Sequence, residues 1–315
     1  MSDEHVTTSD APLRLGTRGS ALALRQSGMI AAELERRGVA VEMVVIKTSG
    51  DVATGSLATL GGKGLFVKEI EEALLRGRID LAVHSLKDMP AELPAGLALV
   101  ATPPRADARD VLVSHAGVDL ARLPAGTRVG TSSLRRRAQL LTLRPDVGVA
   151  AMRGNVDTRL EKLARGQVDA VLLAAAGLAR LGLTPAGAVT IPVRSFVPAI
   201  GQGILALEAR ADDERVGRLV AALDDPGTRA AATAERAFLA TIGGDCHTPL
   251  AAHAVVRGSM LAMQALVYAV DGRAFVGDTS EGPLDAAAVV GMRLADALLT
   301  RGAGDLIAAS APTRP

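Results

Sequence analysis

Two stretches of this chain repeat one another, and that repeat limits the folds open to it. Arg14-Leu15-Gly16-Thr17-Arg18-Gly19-Ser20 and Arg128-Val129-Gly130-Thr131-Ser132-Ser133 each end an apolar run in a Gly/Ser/Thr turn. Each precedes a helical pattern, with Gln26 and Gln139 similarly placed. Further on, Arg76-Gly77-Arg78-Ile79-Asp80 is echoed by Arg165-Gly166-Gln167-Val168-Asp169, each ahead of an apolar strand. The first copy is longer by roughly the Gly/Ser/Thr-rich stretch 48–64. A duplicated strand–turn–helix unit predicts two related α/β domains. Chance likeness of two such units is the competing reading.

Two breakers, Thr102-Pro103-Pro104 and Pro198-Ala199-Ile200-Gly201-Gln202-Gly203, read as crossings between the copies. They predict a first domain over 13–103 plus 204–222 and a second over 104–203. A third, small α+β domain follows over 223–309, with 1–12 and 310–315 disordered. Gly16 to Ser20 reads as a turn. In the third unit, Thr228 to Ile242 reads as a helix with Thr228 as N-cap and Gly243 past its end. Asp271-Gly272 signals a hairpin. A helix over 285–301 closes the unit, stopped by Gly302, and the tail from Ala309 reads as loose.

Composition removes several functions. The single cysteine, Cys246, forms no internal disulfide and no cysteine-based zinc site. A net charge of +1 and 2% aromatic residues argue against a nucleic-acid binder. The polar start is unlike a signal peptide, and the apolar run 170–179 is half the ~20 residues a membrane span needs. The expectation is a soluble cytoplasmic protein.

The two Gly/Ser/Thr turns aim backbone N–H groups, hydroxyls and helix N-termini at an anion. Arg18 lies in the first; Arg135, Arg136 and Arg137 follow the second. Such a pair suits a ligand with several carboxylates or phosphates. Arg135 and Arg136 are read as facing the site and Arg137 as pointing elsewhere. Gly61-Gly62-Lys63-Gly64 fits neither a Walker loop nor a dinucleotide fingerprint. His84-Ser85-Leu86-Lys87-Asp88 ends a strand, where open α/β sheets place ligands. Asp88 there suits acid–base work or holding a developing cation, with a capping Asp as the plain alternative. Arg153-Gly154-Asn155, Arg159 and Arg180 are further basic positions at element ends. Cys246 sits in a loop beside His247; the default for a lone cysteine is an inert buried residue, and the loop position leans towards exposure.

Taken together, the chain resembles the porphobilinogen deaminase (hydroxymethylbilane synthase) family from about Leu13 to Ala309. The resemblance rests on seven ordered runs: Gly16-Thr17-Arg18 with Ser20, Gly61 to Glu69, His84 to Asp88, Gly130 to Arg136, Arg153-Gly154-Asn155 with Arg159, Gly201-Gln202-Gly203, and Cys246. It implies an α/β fold of two domains like type II periplasmic binding proteins around a cleft, plus a small α+β C-terminal domain. It also implies a monomeric transferase of tetrapyrrole (heme) biosynthesis. Four porphobilinogen units would be condensed head to tail with loss of ammonia on a dipyrromethane cofactor, and hydroxymethylbilane released by hydrolysis.

The same resemblance assigns roles. Asp88 is the catalytic carboxylate, and Cys246 holds the dipyrromethane as a thioether. Lys63, Ser85, Lys87, Thr131, Ser132, Ser133, Arg135, Arg136, Arg153 and Gly154 bind the cofactor, with Phe66 beside its rings. Arg18, Ser20, Gln26, Arg159, Arg180 and Gln202 bind substrate. No metal is implied, nor a nucleic-acid or membrane partner. Thr59, Arg25 and Asp245 depart from the common pattern. A non-enzymatic two-domain anion-binding protein is the alternative reading.

Overall fold

The computed structural model describes residues 11–48, 67–244 and 248–310. The expectations for 1–10 and 311–315, for most of the Gly-rich stretch, and for Lys63, Phe66 and Cys246 fall outside the described residues.

The first sheet holds β1 (Leu13–Arg18), β2 (Val41–Ile46), β3 (Leu81–Ser85), β4 (Leu97–Ala101) and β10 (Leu205–Arg210), in the order β2-β1-β3-β10-β4. The second holds β5 (Asp110–Ser114), β6 (Arg128–Gly130), β7 (Gly148–Ala150), β8 (Ala170–Ala174) and β9 (Ala188–Thr190), in the order β7-β6-β8-β5-β9. In each, four strands share one direction and the fourth in the order, β10 and β5 respectively, runs against them. Each antiparallel strand follows a crossing of the chain from the other sheet.

The sequence repeat has a physical cause. Arg14 donates its backbone N–H and guanidinium to Asp80, at 2.6–3.0 Å, while the Asp80 N–H returns to the Arg14 carbonyl at 2.8 Å. Arg128 and Asp169 make the same clamp at 2.8–3.2 Å, with a 2.9 Å return bond. Each clamp fastens one strand to the start of the parallel strand beside it, β1 to β3 and β6 to β8. The glycine beyond each arginine is also forced: a Cβ on Gly16 would stand 2.3 Å from Ile79 Cδ1, and one on Gly130 2.6 Å from Met152 Cε.

Gly16 to Arg18 differ from the expected turn. They belong to β1, paired with Val44 to Ile46, and the bend begins only at Gly19. Ser20 then caps the helix Ala21–Arg36, accepting from the Ala23 N–H. Ser133 caps the helix Leu134–Leu143 in the same way.

A third sheet, β11 (Leu250–Arg257), β12 (Met260–Tyr268) and β13 (Phe275–Pro283), is antiparallel throughout. The helices Pro226–Ile242 and Ala287–Thr300 pack against it around Phe238, Leu261, Met263, Val290 and Leu294. The first of these helices is capped by Asp225 with Pro226 in its first turn, not by Thr228. Asp225 wins because its carboxylate reaches the Thr228 N–H at 2.7 Å, while the Thr228 hydroxyl accepts from the Arg105 N–H. Past Gly302 the chain forms one more helix, Ala303–Ser310, where a loose tail was expected from Ala309. The expected α/β class with a small α+β C-terminal unit is therefore what the chain forms. Among the described residues no helix is long and apolar enough to cross a membrane.

Both crossings meet at one buried carboxylate. Glu235, on the helix Pro226–Ile242, is fully buried. It accepts from the Gly201 N–H at 2.6 Å, from Arg105 at 2.6 Å and from the Ala254 N–H of β11 at 2.8 Å. Arg105 also donates to the Gln202 carbonyl, and Ala106 N–H to the Gly203 carbonyl. Gly203 has φ +88°, and a Cβ there would lie 2.5 Å from the Ala106 carbonyl oxygen, so glycine is required.

Burial opposes ionisation of Glu235, but Arg105 and His253 outweigh it and hold the carboxyl at about 2. Its native pKa is below the unfolded value, so this stabilisation is complete above pH ~4.5 and is lost as pH falls towards 2. Glu235→Gln is expected to cost about 3 kcal/mol near neutral pH and to flatten the acid side of the stability curve. Urea unfolding at a series of pH values checks this; an unchanged acid limb would contradict the assignment.

Candidate active site

The first sheet and its neighbouring helix define a recess at the C-terminal ends of β1 and β3. It is lined by Arg18, Ser20, Gln26, His84, Ser85 and Asp88, with apolar walls from Leu22, Val67 and Val83. Strand β3 ends at Ser85 and passes into a single 3-10 turn, Leu86–Asp88, which turns the exposed Asp88 into this recess. The buried Gln26 donates to the Ser85 hydroxyl at 3.0 Å, fixing the start of that turn from the facing helix. Gly201 packs beneath it: with φ +69°, a Cβ there would meet Leu86 and the Lys87 nitrogen at 2.8–2.9 Å. Asp88 is the only acid among the described residues lining the recess.

Lys87 projects from the same turn towards the second sheet. Its surroundings are dense, and burial pushes its ammonium below the ordinary range. Asp88 and Asp110 oppose that shift, while Arg136 and Arg135 add to it. Arg159 is lowered in the same direction, by burial and then by Arg136. By formal charge Lys87, Arg135, Arg136 and Arg159 stand together against Asp110 and Asp88, a surplus of cations suited to a polyanion.

Asp110 holds the second side together, and the sequence did not single it out. It opens β5, is fully buried, and accepts from Arg135 at 2.7 Å and from Arg136 at 2.7 and 3.0 Å. Gln202 adds a bond at 3.2 Å and donates to the Ala108 carbonyl at 2.6 Å. Burial alone would raise the Asp110 pKa, but the two guanidiniums pull it far below the usual carboxylate range. Arg135 also bonds the Val197 carbonyl and lies 5.7 Å from the Phe196 ring centre; Arg136 bonds the Leu172 carbonyl. Thus Arg135 and Arg136, expected to face the ligand, are buried on Asp110 and backbone carbonyls, and Arg137 is exposed, away from both.

The remaining positions fall around these two sides. Thr131 and Ser133 lie at the start of the helix Leu134–Leu143, with the Ser133 N–H donating to the Thr131 hydroxyl. Ser132 bridges to Met152, donating to its carbonyl and accepting from its N–H. Gly154 sits at φ +114°, where a Cβ would strike Thr158 at 2.7 Å, and its carbonyl accepts from Arg159. Arg153 is exposed beside it. Arg180 lies at the seam: it donates to the Gly203 carbonyl at 2.7 Å, and its own carbonyl accepts from Arg25 on the facing helix. Burial brings its pKa down to about 10.

The arrangement is that of an α/β protein with one carboxylate exposed in a recess beside Arg18 and a group of cations gathered around Asp110 on the second sheet. Comparison with known proteins makes the class specific. The family description "Porphobilinogen deaminase, dipyromethane cofactor binding domain" matches residues 13–218, and "Porphobilinogen deaminase, C-terminal domain" matches 230–300. The chain is 50% identical over 299 residues to the porphobilinogen deaminase of Geobacter metallireducens, covering 94% of each. It is 52% identical over 293 residues to that of Pelobacter propionicus, covering 92% of this chain and 94% of that one. The chain belongs to the porphobilinogen deaminase family.

Among solved structures, similar chains include the Bordetella pertussis BvgS VFT2 domain (TM-score 0.42, 14% identity, 66% of this chain and 84% of that one). Another is the periplasmic aliphatic sulphonate binding protein SsuA of Escherichia coli (TM-score 0.39, 20% identity, 73% and 70%). Scores this low decide nothing; the fold rests on the strand orders above.

Removing the charge of Asp110 leaves two buried guanidiniums without an anion. Asp110→Asn is expected to cost about 3–5 kcal/mol of stability, read as a fall in the urea midpoint. A loss under about 1 kcal/mol would show that Asp110 is not the anchor of Arg135 and Arg136.

Proposed function

We propose that this chain is a transferase that condenses porphobilinogen units into hydroxymethylbilane, with Asp88 as the reacting carboxylate. The observation that carries this reading is the placing of Asp88: one acid, exposed on a rigid turn, in a recess whose other polar groups are donors. An aminomethyl pyrrole that loses ammonia becomes cationic at its methylene carbon. A carboxylate at that point stabilises the developing charge and accepts or returns protons. Its acetate and propionate groups require cations and hydroxyls a few ångströms away, and the walls supply both.

The donor set fits the dipyrromethane group on chemical grounds, since its four carboxylates would meet an excess of cationic groups on the second wall. Arg18, Ser20 and Ser85 would take carboxylates on the first wall. Lys87, Arg136, Arg159 and Arg153 would do so on the second, together with Thr131, Ser132, Ser133 and the Gly154 backbone. When bound, the group supplies the nucleophilic pyrrole carbon on which the product chain is built. Arg135, held by Asp110, would orient Arg136 and keep the wall positive. Gln26 would fix Ser85, and Arg180 and Gln202 would hold the seam. Cys246 is assigned the thioether, Lys63 one more carboxylate and Phe66 a ring contact, on the motif match alone. The working form is a cytoplasmic monomer.

Asp88→Asn is expected to lower kcat by at least about 100-fold with the thermal midpoint unchanged, because the exposed side chain carries reaction chemistry and little packing. Porphobilinogen consumption by the purified variant checks this. Turnover near the wild-type rate would mean that another group performs the proton and charge work.

A further inference from the structure

From the recess inward, His84 on its lining and two buried acids form a group to which the proposed reaction assigns no role. His84 is on β3, directly before Ser85. Glu208 is on β10 and is fully buried, and its Oε2 lies 3.0 Å from His84 Nε2. Glu71 is buried too, on the helix Lys68–Leu75, which packs on β3 and β10, and it feels the charge of both Glu208 and His84. The His84–Glu208 approach is close but poorly aligned. One Glu71 oxygen, both Glu208 oxygens and His84 Nε2 have no hydrogen-bond partner among the described residues.

Two buried carboxyls that feel one another, each with an unpaired oxygen, ionise together only at a cost, which favours a proton in the site. The other charged group facing it is Arg236, on the helix Pro226–Ile242, which is attracted by Glu208. Its guanidinium is already committed to the Pro90 and Ala91 carbonyls at 2.9 and 2.5 Å. It therefore ties the cluster to the chain just past Asp88 rather than neutralising both acids. On the near side, β3 and β10 pair His84 with Ala206 and Ser85 with Leu205, and the Leu86 N–H donates to Ile204.

We propose that Glu71, Glu208 and His84 form a proton-sharing cluster that positions the Ser85–Asp88 turn. With a proton on Glu71, a neutral carboxyl stands beside the Glu208 carboxylate and can donate to it. Without that proton, two like charges repel between the helix Lys68–Leu75 and β10, and the strand that ends in the turn loses its register support. The positioning role rests on Asp88 being the reacting carboxylate; the cluster itself does not.

Burial first, and then Glu208, push Glu71 up to about 7, partly offset by His84. The native pKa is above the unfolded one, so the wild type is favoured at low pH. It loses that contribution as pH rises from about 4.5 to 7.

The test compares holoenzyme of the wild type with Glu71→Gln across about pH 5 to 8.5. The variant is expected to gain several degrees of thermal midpoint over the wild type at the alkaline end and little at the acid end. Its kcat/KM profile is expected to lack a step near pH 7 that the wild type shows. In wild-type infrared spectra, the carbonyl band of a protonated buried carboxyl should vanish through the same pH range; this reading stands even if the variant fails to fold. A pH-independent midpoint difference, or no such band at about pH 6, overturns the cluster. A pH-dependent midpoint with superimposable kcat/KM profiles overturns its positioning role. An active Asp88→Asn enzyme would instead refute the catalytic reading while leaving the midpoints and the infrared band as they are.

Discussion

The Glu235 carboxylate is the contact on which the architecture depends. Two polypeptide crossings separate the sheets, and each brings backbone donors into an interior without water. One carboxylate answers both: it takes the Gly201 N–H from the second crossing and the Arg105 guanidinium from the first. By also accepting from Ala254 it fixes the three-stranded sheet to the same point. A buried charge is tolerated only when its lone pairs are filled, and here they are filled by groups from both crossings and from the three-stranded sheet. The Ser85–Asp88 turn rests on the Gly201 side of this junction, so the place of Asp88 is set by residues far from it in sequence.

The two walls of the cleft are built on opposite electrostatic plans. On the first, Asp88 is exposed and the groups around it are hydroxyls, amides and one arginine. On the second, an acid is buried and its arginines face inward with it. Asp110 keeps two guanidiniums in place with charge to spare, and Lys87 and Arg159 add to the excess.

Much of this could be read from the sequence because local sterics and short-range pairing leave a local record. Gly16 and Gly130 appear in register because a Cβ in either copy meets a side chain lying just outside a neighbouring strand, Ile79 before β3 and Met152 after β7. The Arg14–Asp80 and Arg128–Asp169 clamps appear as repeated residues for the same reason. The run His84 to Asp88 carried both a strand end and its exposed acid. Asp110, Glu235 and Glu71 were missed because their partners come from distant segments: Arg105 and Glu235 are 130 positions apart. An acid opening an apolar strand, as Asp110 does, was the one available signal. Gly16 to Arg18 misled because Gly and Thr suggest a turn, whereas pairing with β2 continues the strand through them.

Covalent attachment through Cys246 is the claim on which the enzymatic account turns, and intact mass tests it most directly. Protein purified from cells should exceed the mass of the bare 32.2 kDa chain by one dipyrromethane group, and the increment should be absent from Cys246→Ala. Brief addition of porphobilinogen should then give further increments of one pyrrole unit each. Active wild-type enzyme with the mass of the bare chain would contradict the account.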